Sequence, residues 1–101
     1  MILTVFRSRL RPEAAERGYR ELADEMERRA REMPGFVDFK SFIADDGERV
    51  SVVEFDTIEN HDRWREDPVH RIAQQRGRAD YYAEFQVTVG EVLRKYSFDV
   101  S

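Results

Sequence analysis

At 101 residues the chain has the length of one domain, and a domain this small buries only about 60–70% of the surface its unfolded chain exposes. A net charge of −4 opposes a nucleic-acid or anionic-membrane partner, since either would repel the molecule as a whole. The absence of cysteine excludes disulfides, a thiolate nucleophile and a zinc ribbon, and the short N-terminal apolar run is no signal peptide. The expectation is a single cytoplasmic domain over residues 1–101, with no segment of bilayer length.

Ile2–Leu10 reads as a strand, rich in β-branched and aromatic residues before Pro12. From Pro12 to Met33 the period changes: Ala15, Tyr19, Leu22, Met26, Ala30 and Met33 recur at three- and four-residue steps, the mark of one helical stripe. Pro12 suits the first helical position, and Pro34–Gly35 ends the helix. Opposite charges four apart (Glu13–Arg17, Glu16–Arg20, Glu25–Arg29) make the outer face a solvated one. Phe36–Ala44 and Val50–Phe55 are two further strands joined by a hairpin at Asp45-Asp46-Gly47. Asp56 or Thr57 caps a short helix through Arg65, with Glu59 placed to close a capping box on Asp56. Asp67-Pro68 restarts a helix that runs to about Arg76, with Gly77 as its stop. Tyr82–Tyr96 is a long last strand, with a bulge or bend at Gly90. The order βαββααβ predicts an α+β, ferredoxin-like sandwich with a four-stranded antiparallel sheet.

The strands are apolar on both faces. Phe36 and Phe42 fall on one face of the second strand against Val37, Phe39 and Ile43. Val50 and Val52 oppose Val53 and Phe55, and Ile2 and Phe6 oppose Leu3 and Val5. The helices of one protomer cover a single face, so the other calls for a second sheet. An identical subunit in a two-fold homodimer supplies it most simply.

Asn60–Phe85 gathers the only tryptophan, Trp64, both histidines, His61 and His70, and the pair Tyr81–Tyr82. No phosphate loop and no Ser/His/Asp spacing is recognisable, and two histidines on different helices predict no metal site. Trp64 reads either as a cap over the edge of the core or as a ligand wall. His70 sits on the first turn of its helix, where the dipole favours the neutral imidazole, suited to a base or hydrogen-bonding group near neutrality or to a plain helix cap. Two short helices seal a sheet less well than one long one. Phe6, Tyr19, Phe55, Trp64 and Tyr82 would then line an apolar cavity with Ser51, His61, His70 and Gln74 as its polar points. The same composition equally describes a core.

The strand order, the turn at Pro34–Phe36, the Asp45-Asp46-Gly47 hairpin and the run from Trp64 through Asp67-Pro68 to His70, leading on to Tyr82 and Val87–Val92, resemble the antibiotic biosynthesis monooxygenase (ABM) family over essentially the whole chain. The resemblance implies a dimeric α/β barrel, each protomer with its own pocket, among whose members are cofactor-free oxygenases of aromatic polyketides and quinols and haem-degrading enzymes. The Asn and Trp of the anthrone-oxidising members correspond to Ser51 and Phe55 here, and their pocket Tyr to His61. Against the haem-degrading members Trp64 matches, Phe6 or Arg7 takes the place of an Asn, and Gln74 replaces the iron-binding His, which argues against haem degradation. Pro68 and His70 match the Pro-x-His of quinol-type members.

The leading expectation is therefore a cofactor-independent monooxygenase of a phenolic, quinol or polyketide-like aromatic. His70 would serve as base with His61 second, Trp64 would shield the ring, and Ser51 would bond a substrate oxygen. A non-catalytic dimeric barrel binding a small ligand or a partner protein is the alternative. An isomerase or decarboxylase in the same pocket is a third reading.

Overall fold

The computed structural model describes residues 1–100. Its elements are β1 (Ile2–Leu10), α1 (Tyr19–Glu32), β2 (Phe36–Ile43), β3 (Arg49–Phe55), α2 (Ile58–Arg65), α3 (Pro68–Arg76), a π-helical turn (Gly77–Tyr81) and β4 (Tyr82–Glu91). The four strands pair antiparallel in the order β2-β3-β1-β4, the predicted ferredoxin-like α+β arrangement. Among the described residues no helix is long and apolar enough to cross a membrane.

All helices lie on one face of the sheet. That face is identified by Thr4 of β1, which bonds His61 of α2. Residues directly opposite in an antiparallel ladder share a face. The pairs Thr4–Val53, Thr4–Val89, Phe6–Ser51 and Phe6–Val87 therefore place all these side chains toward the helices. The core is built from Ala30 of α1, Val53 and Phe55 of β3, and Trp64 of α2, with Met33, Phe36 and Phe39 packed around it. It sits over β2 and β3. The far strand β4 is left bare, and its helix-side residues Phe85, Val87 and Val89 are 41, 47 and 39% exposed. On the opposite face Val5 pairs with Val52 and Phe42 with Val50, and no helix of the same chain covers them.

Several boundaries depart from the sequence reading, each for a local reason. The first helix begins at Tyr19, not Pro12, because Gly18 adopts φ +89, a left-handed conformation that cannot continue a helix. Residues 12–17 form successive turns instead, with Ala14 N–H donating to the Arg11 carbonyl at 3.0 Å. Arg29 pairs with Asp67 rather than Glu25, whose carboxylate is taken by Arg28. Phe36 lies with Phe39 on the helix side, not with Phe42, because β2 carries one extra residue at Val37 between the partners of Phe55 and Glu54. That bulge inverts the alternation. Thr57 is the cap of α2 and no box closes on Asp56, whose carboxylate accepts from the Asn60 side chain.

α3 ends at Arg76 with Gly77 as its cap, as the sequence reading has it, but the chain continues into the π-helical turn. The Gly77 backbone is helical, and a Cβ there would stand 2.6 Å from the Tyr82 ring, so glycine is required by close approach. The last strand ends at Glu91, short of Tyr96, and its irregularity falls at Ala83, where Arg9–Glu84 gives way to Leu10–Tyr82, while Gly90 pairs regularly with Leu3.

Candidate functional site

Two short helices and the joint between them position the ring-bearing residues. Thr57 Oγ1 accepts from Asn60 N–H at 3.2 Å and so fixes the start of α2. Two residues, Glu66 and Asp67, separate α2 from α3. Asp67 is buried and accepts two hydrogen bonds from the Arg29 guanidinium at 2.8 and 3.2 Å, which hold its carboxyl below the usual carboxylate range. The α2–α3 joint is thereby tied to α1. Helical phase then turns His61 and Trp64, three apart on α2, onto the same face as His70 on the first turn of α3.

These rings form one stack. Trp64 lies nearly parallel to Phe55 at 5.2 Å between centroids and edge-on to His61 at 5.8 Å; His70 tilts against it at 4.6 Å. The two histidines differ in how they are satisfied. His61 is 2% exposed, with Nε2 2.8 Å from Thr4 Oγ1 and Nδ1 3.0 Å from Asp62 Oδ1. A carboxylate only accepts, so in the neutral ring Nδ1 carries the proton and Nε2 accepts from the threonine hydroxyl. Both nitrogens are spent. Against this, His70 Nδ1 and Trp64 Nε1 are buried and have no hydrogen-bond partner. Burial lowers the His70 pKa to about 4, Asp67 opposing the shift and Arg65 adding to it. The imidazole is neutral at pH 7, next to an indole N–H that is free to donate.

A second ring cluster lies on the same face of the sheet. Phe6 meets Tyr82 edge-on at 5.3 Å and stacks with Phe85 at 5.7 Å, and Tyr19 meets Tyr82 edge-on at 6.1 Å, with the Arg49 guanidinium 5.4 Å over the Tyr19 ring. Burial pushes the Tyr82 phenol well above its ordinary value, with Tyr19 adding to the shift, so it acts only as a neutral hydroxyl. The segment before β4 is held by Arg11, which donates to the carbonyls of Arg78, Ala79 and Tyr82, and by Tyr81, fully buried, whose hydroxyl donates to the Arg17 carbonyl.

The expected lining is thus brought together in part. Phe55, Trp64, His61 and His70 are one cluster and Phe6, Tyr19 and Tyr82 another. Phe55 is fully buried, and Ser51 Oγ is engaged with Ser41 Oγ at 2.7 Å. Gln74 lines a separate polar groove of about 420 Å³ with Asp62, Arg65, Glu66 and Arg71. The residues the sequence reading missed are Phe85, Val87 and Val89, the bare apolar strip beside Phe6. Their alternation was visible, but which face they occupy depends on pairing with β1.

The chain belongs to the antibiotic biosynthesis monooxygenase family, whose profile matches residues 1–76. It is 32% identical over 81 residues to the uncharacterized protein YqjZ of Bacillus subtilis, covering 80% of this chain and 71% of that one. In fold it is similar to Rv0793 of Mycobacterium tuberculosis, with a TM-score of 0.83 at 23% identity over 95% of this chain and 98% of the other. It is likewise similar to SnoaB, a cofactor-independent oxygenase from Streptomyces nogalater, with a TM-score of 0.78 at 14% identity over 93 and 94% of the two chains.

Proposed function

We propose that the protein is a cofactor-independent monooxygenase of a phenolic or quinol-like aromatic and works as a homodimer. One observation supports the reading: the Trp64 and His70 rings are in contact, 4.6 Å between centroids, and Trp64 Nε1 and His70 Nδ1 are each buried and unpartnered, which leaves polar groups at a cost unless a ligand completes them. In this reading a substrate hydroxyl completes them. His70 accepts its proton as the indole N–H donates to the oxygen that becomes negative. An imidazole with a pKa near 4 is a weak base in the empty site, but an anionic oxygen beside it in a dry environment stabilises the imidazolium and raises that value. His61, with both nitrogens engaged, is a strut and not a base.

The electrons come from the substrate. A deprotonated quinol reduces O₂ directly, one oxygen atom entering the ring as a new hydroxyl and the other leaving as water, so that quinol and O₂ give a hydroxyquinone and H₂O with no external reductant. The protein supplies orientation, proton transfer and exclusion of water. The bare strip of Phe85, Val87 and Val89 beside Phe6 offers the flat apolar surface such a ring requires. The homodimer is supported by the uncovered face of Val5, Val50, Val52 and Phe42.

Oxygen uptake with a panel of hydroquinones and anthrones tests the activity. The expected result is turnover that falls at least ~100-fold in His70→Phe, in keeping with the loss of one general base; no uptake with any member of the panel overturns it. Ser51 Oγ is bonded to Ser41 Oγ and Phe55 is fully buried, which speaks against a substrate role for the positions matching the anthrone oxidisers' Asn and Trp. That favours, as second reading, a barrel that binds an aromatic without transforming it. Thermal stabilisation by the same compounds without oxygen uptake would establish that reading instead.

A further inference from the structure

Two arginines border the second ring cluster, and among the described residues neither is ion-paired to a carboxylate. The Arg49 guanidinium lies 5.4 Å over the Tyr19 ring, and that of Arg78 lies 5.6 Å over the Phe85 ring. Tyr19 meets Tyr82 and Tyr82 meets Phe85, edge-on at 6.1 and 5.9 Å, so the two cations flank one continuous set of rings. Carboxylates are not scarce. The chain has 21 acidic residues against 17 lysines and arginines, and Arg7, Arg9 and Arg17, on β1 and in the turns after it, are each ion-paired.

The sheet register sets Arg49 beside the bare strip. Ser8 of β1 lies opposite Arg49 of β3 on one side and Phe85 of β4 on the other, so the three share the helix-side face in one row. Two strand spacings, about 10 Å, separate the ends of that row, and the serine between them is small and buried. Arg49 is itself half-buried. A cation drawn partly out of water is ordinarily paired, because desolvation without a partner costs free energy. The ring beneath a guanidinium offsets part of that cost and leaves its in-plane N–H donors for a further partner. Tyr82 is not an anionic partner: burial keeps its phenol protonated at neutral pH, although the Arg49 charge works the other way. At Trp64 and His70, by contrast, the unpartnered polar atoms belong to neutral rings.

We propose that the aromatic ligand of this face carries a carboxylate, and that Arg49, assisted by Arg78, receives that group at the Phe85 end of the strip. The ligand class narrows to aromatic acids that also bear a ring hydroxyl. The forked guanidinium donors match a carboxylate in two parallel hydrogen bonds, which orient the ligand as well as hold it. With a net charge of −4 the molecule as a whole repels anions, so a preference for an acid has to come from a local cation. The proposal rests on reading the strip as the seat of an aromatic ligand and goes beyond it in fixing the ligand's charge and the residue that selects it.

Calorimetric titration of the full chain with dihydroxynaphthoate, its neutral methyl ester and naphthohydroquinone tests it, under argon so that no turnover intervenes. The acid is expected to bind at least ~10-fold more tightly than the ester, the advantage of a charge-assisted bidentate contact. That advantage should shrink as salt is raised while the ester's affinity holds. Arg49→Gln should bring the acid-to-ester ratio near unity, with Arg49→Lys retaining part of it. Should Arg49→Gln lose its cooperative thermal transition, Arg78→Gln, at an exposed position, should lower the same ratio, and the salt series on the unaltered chain needs no variant. Equal affinity for acid and ester, or a preference that survives Arg49→Gln, overturns the assignment of Arg49 and leaves the aromatic seat standing. No binding of any of the three compounds overturns both.

Discussion

His61 and His70 meet the same indole and are chemically opposite groups. His61 holds α2 to β1 through Thr4, and removing the hydroxyl leaves a buried ring nitrogen without its partner. Thr4→Val, which keeps the shape, should cost about 1–3 kcal/mol in urea unfolding, far more than a surface Thr→Val exchange. His70 acts through its titration. Its pKa is about 4 in the folded state against 6.5 for the free group, so between these values the unfolded chain binds more protons and stability falls as pH falls. Above about 6.5 both states are neutral and the dependence vanishes. Wild type should therefore lose on the order of 2 kcal/mol more than His70→Gln between pH 7 and 4.5, read from denaturant midpoints at each pH. The neutral imidazole was foreseeable from its place at a helix start, but the cause is chiefly burial against Trp64, which no spacing encodes.

Among the elements, the π-helical turn has the tightest requirement. Gly77 is in helical backbone, where alanine would be favoured over glycine by about 1 kcal/mol, yet its Cβ would press on the Tyr82 ring at 2.6 Å. Overpacking of that kind costs about 1–3 kcal/mol, so Gly77→Ala should destabilise on balance, whereas Gly90→Ala, with no atom within 4 Å of the added carbon, should leave the melting temperature nearly unchanged. Thermal unfolding of the two variants side by side measures the difference. The strands, the hairpin and α3 were legible because each is set by its own residues: alternation, Asp-Asp-Gly, Asp-Pro. Gly18 and the bulge at Val37 were not, because each answers to a distant partner, and at Gly77 only the helix end was legible, not the close approach of the Tyr82 ring. Gly18 ends the turns that Tyr81 and Arg11 tie down, Gly77 makes room for Tyr82, and Val37 is extra only relative to β3. The candidate site follows the same division. Trp64 and His70 could be singled out by type and position, but the satisfied state of His61 required Thr4, fifty-seven residues away.

At the scale of the molecule, the sheet divides the surface into two unlike halves. Phe42 on the helix-free face is half exposed, so a polar replacement there buries no charge in the monomer. Phe42→Glu should weaken self-association at least ~10-fold, the effect of losing one buried aromatic, with far-UV circular dichroism unchanged. The other half is a helical layer that stops short of β4. An outer strand with Phe85, Val87 and Val89 facing water is also a colloidal weak point, since such strands seed clumping when crowded. An aromatic ligand covering that strip, as proposed above, would then also act as a solubiliser. Shelf life in concentrated solution becomes an occupancy gauge: turbidity at fixed protein concentration should fall as a well-fitting aromatic is titrated in, reporting binding before any reaction has been found.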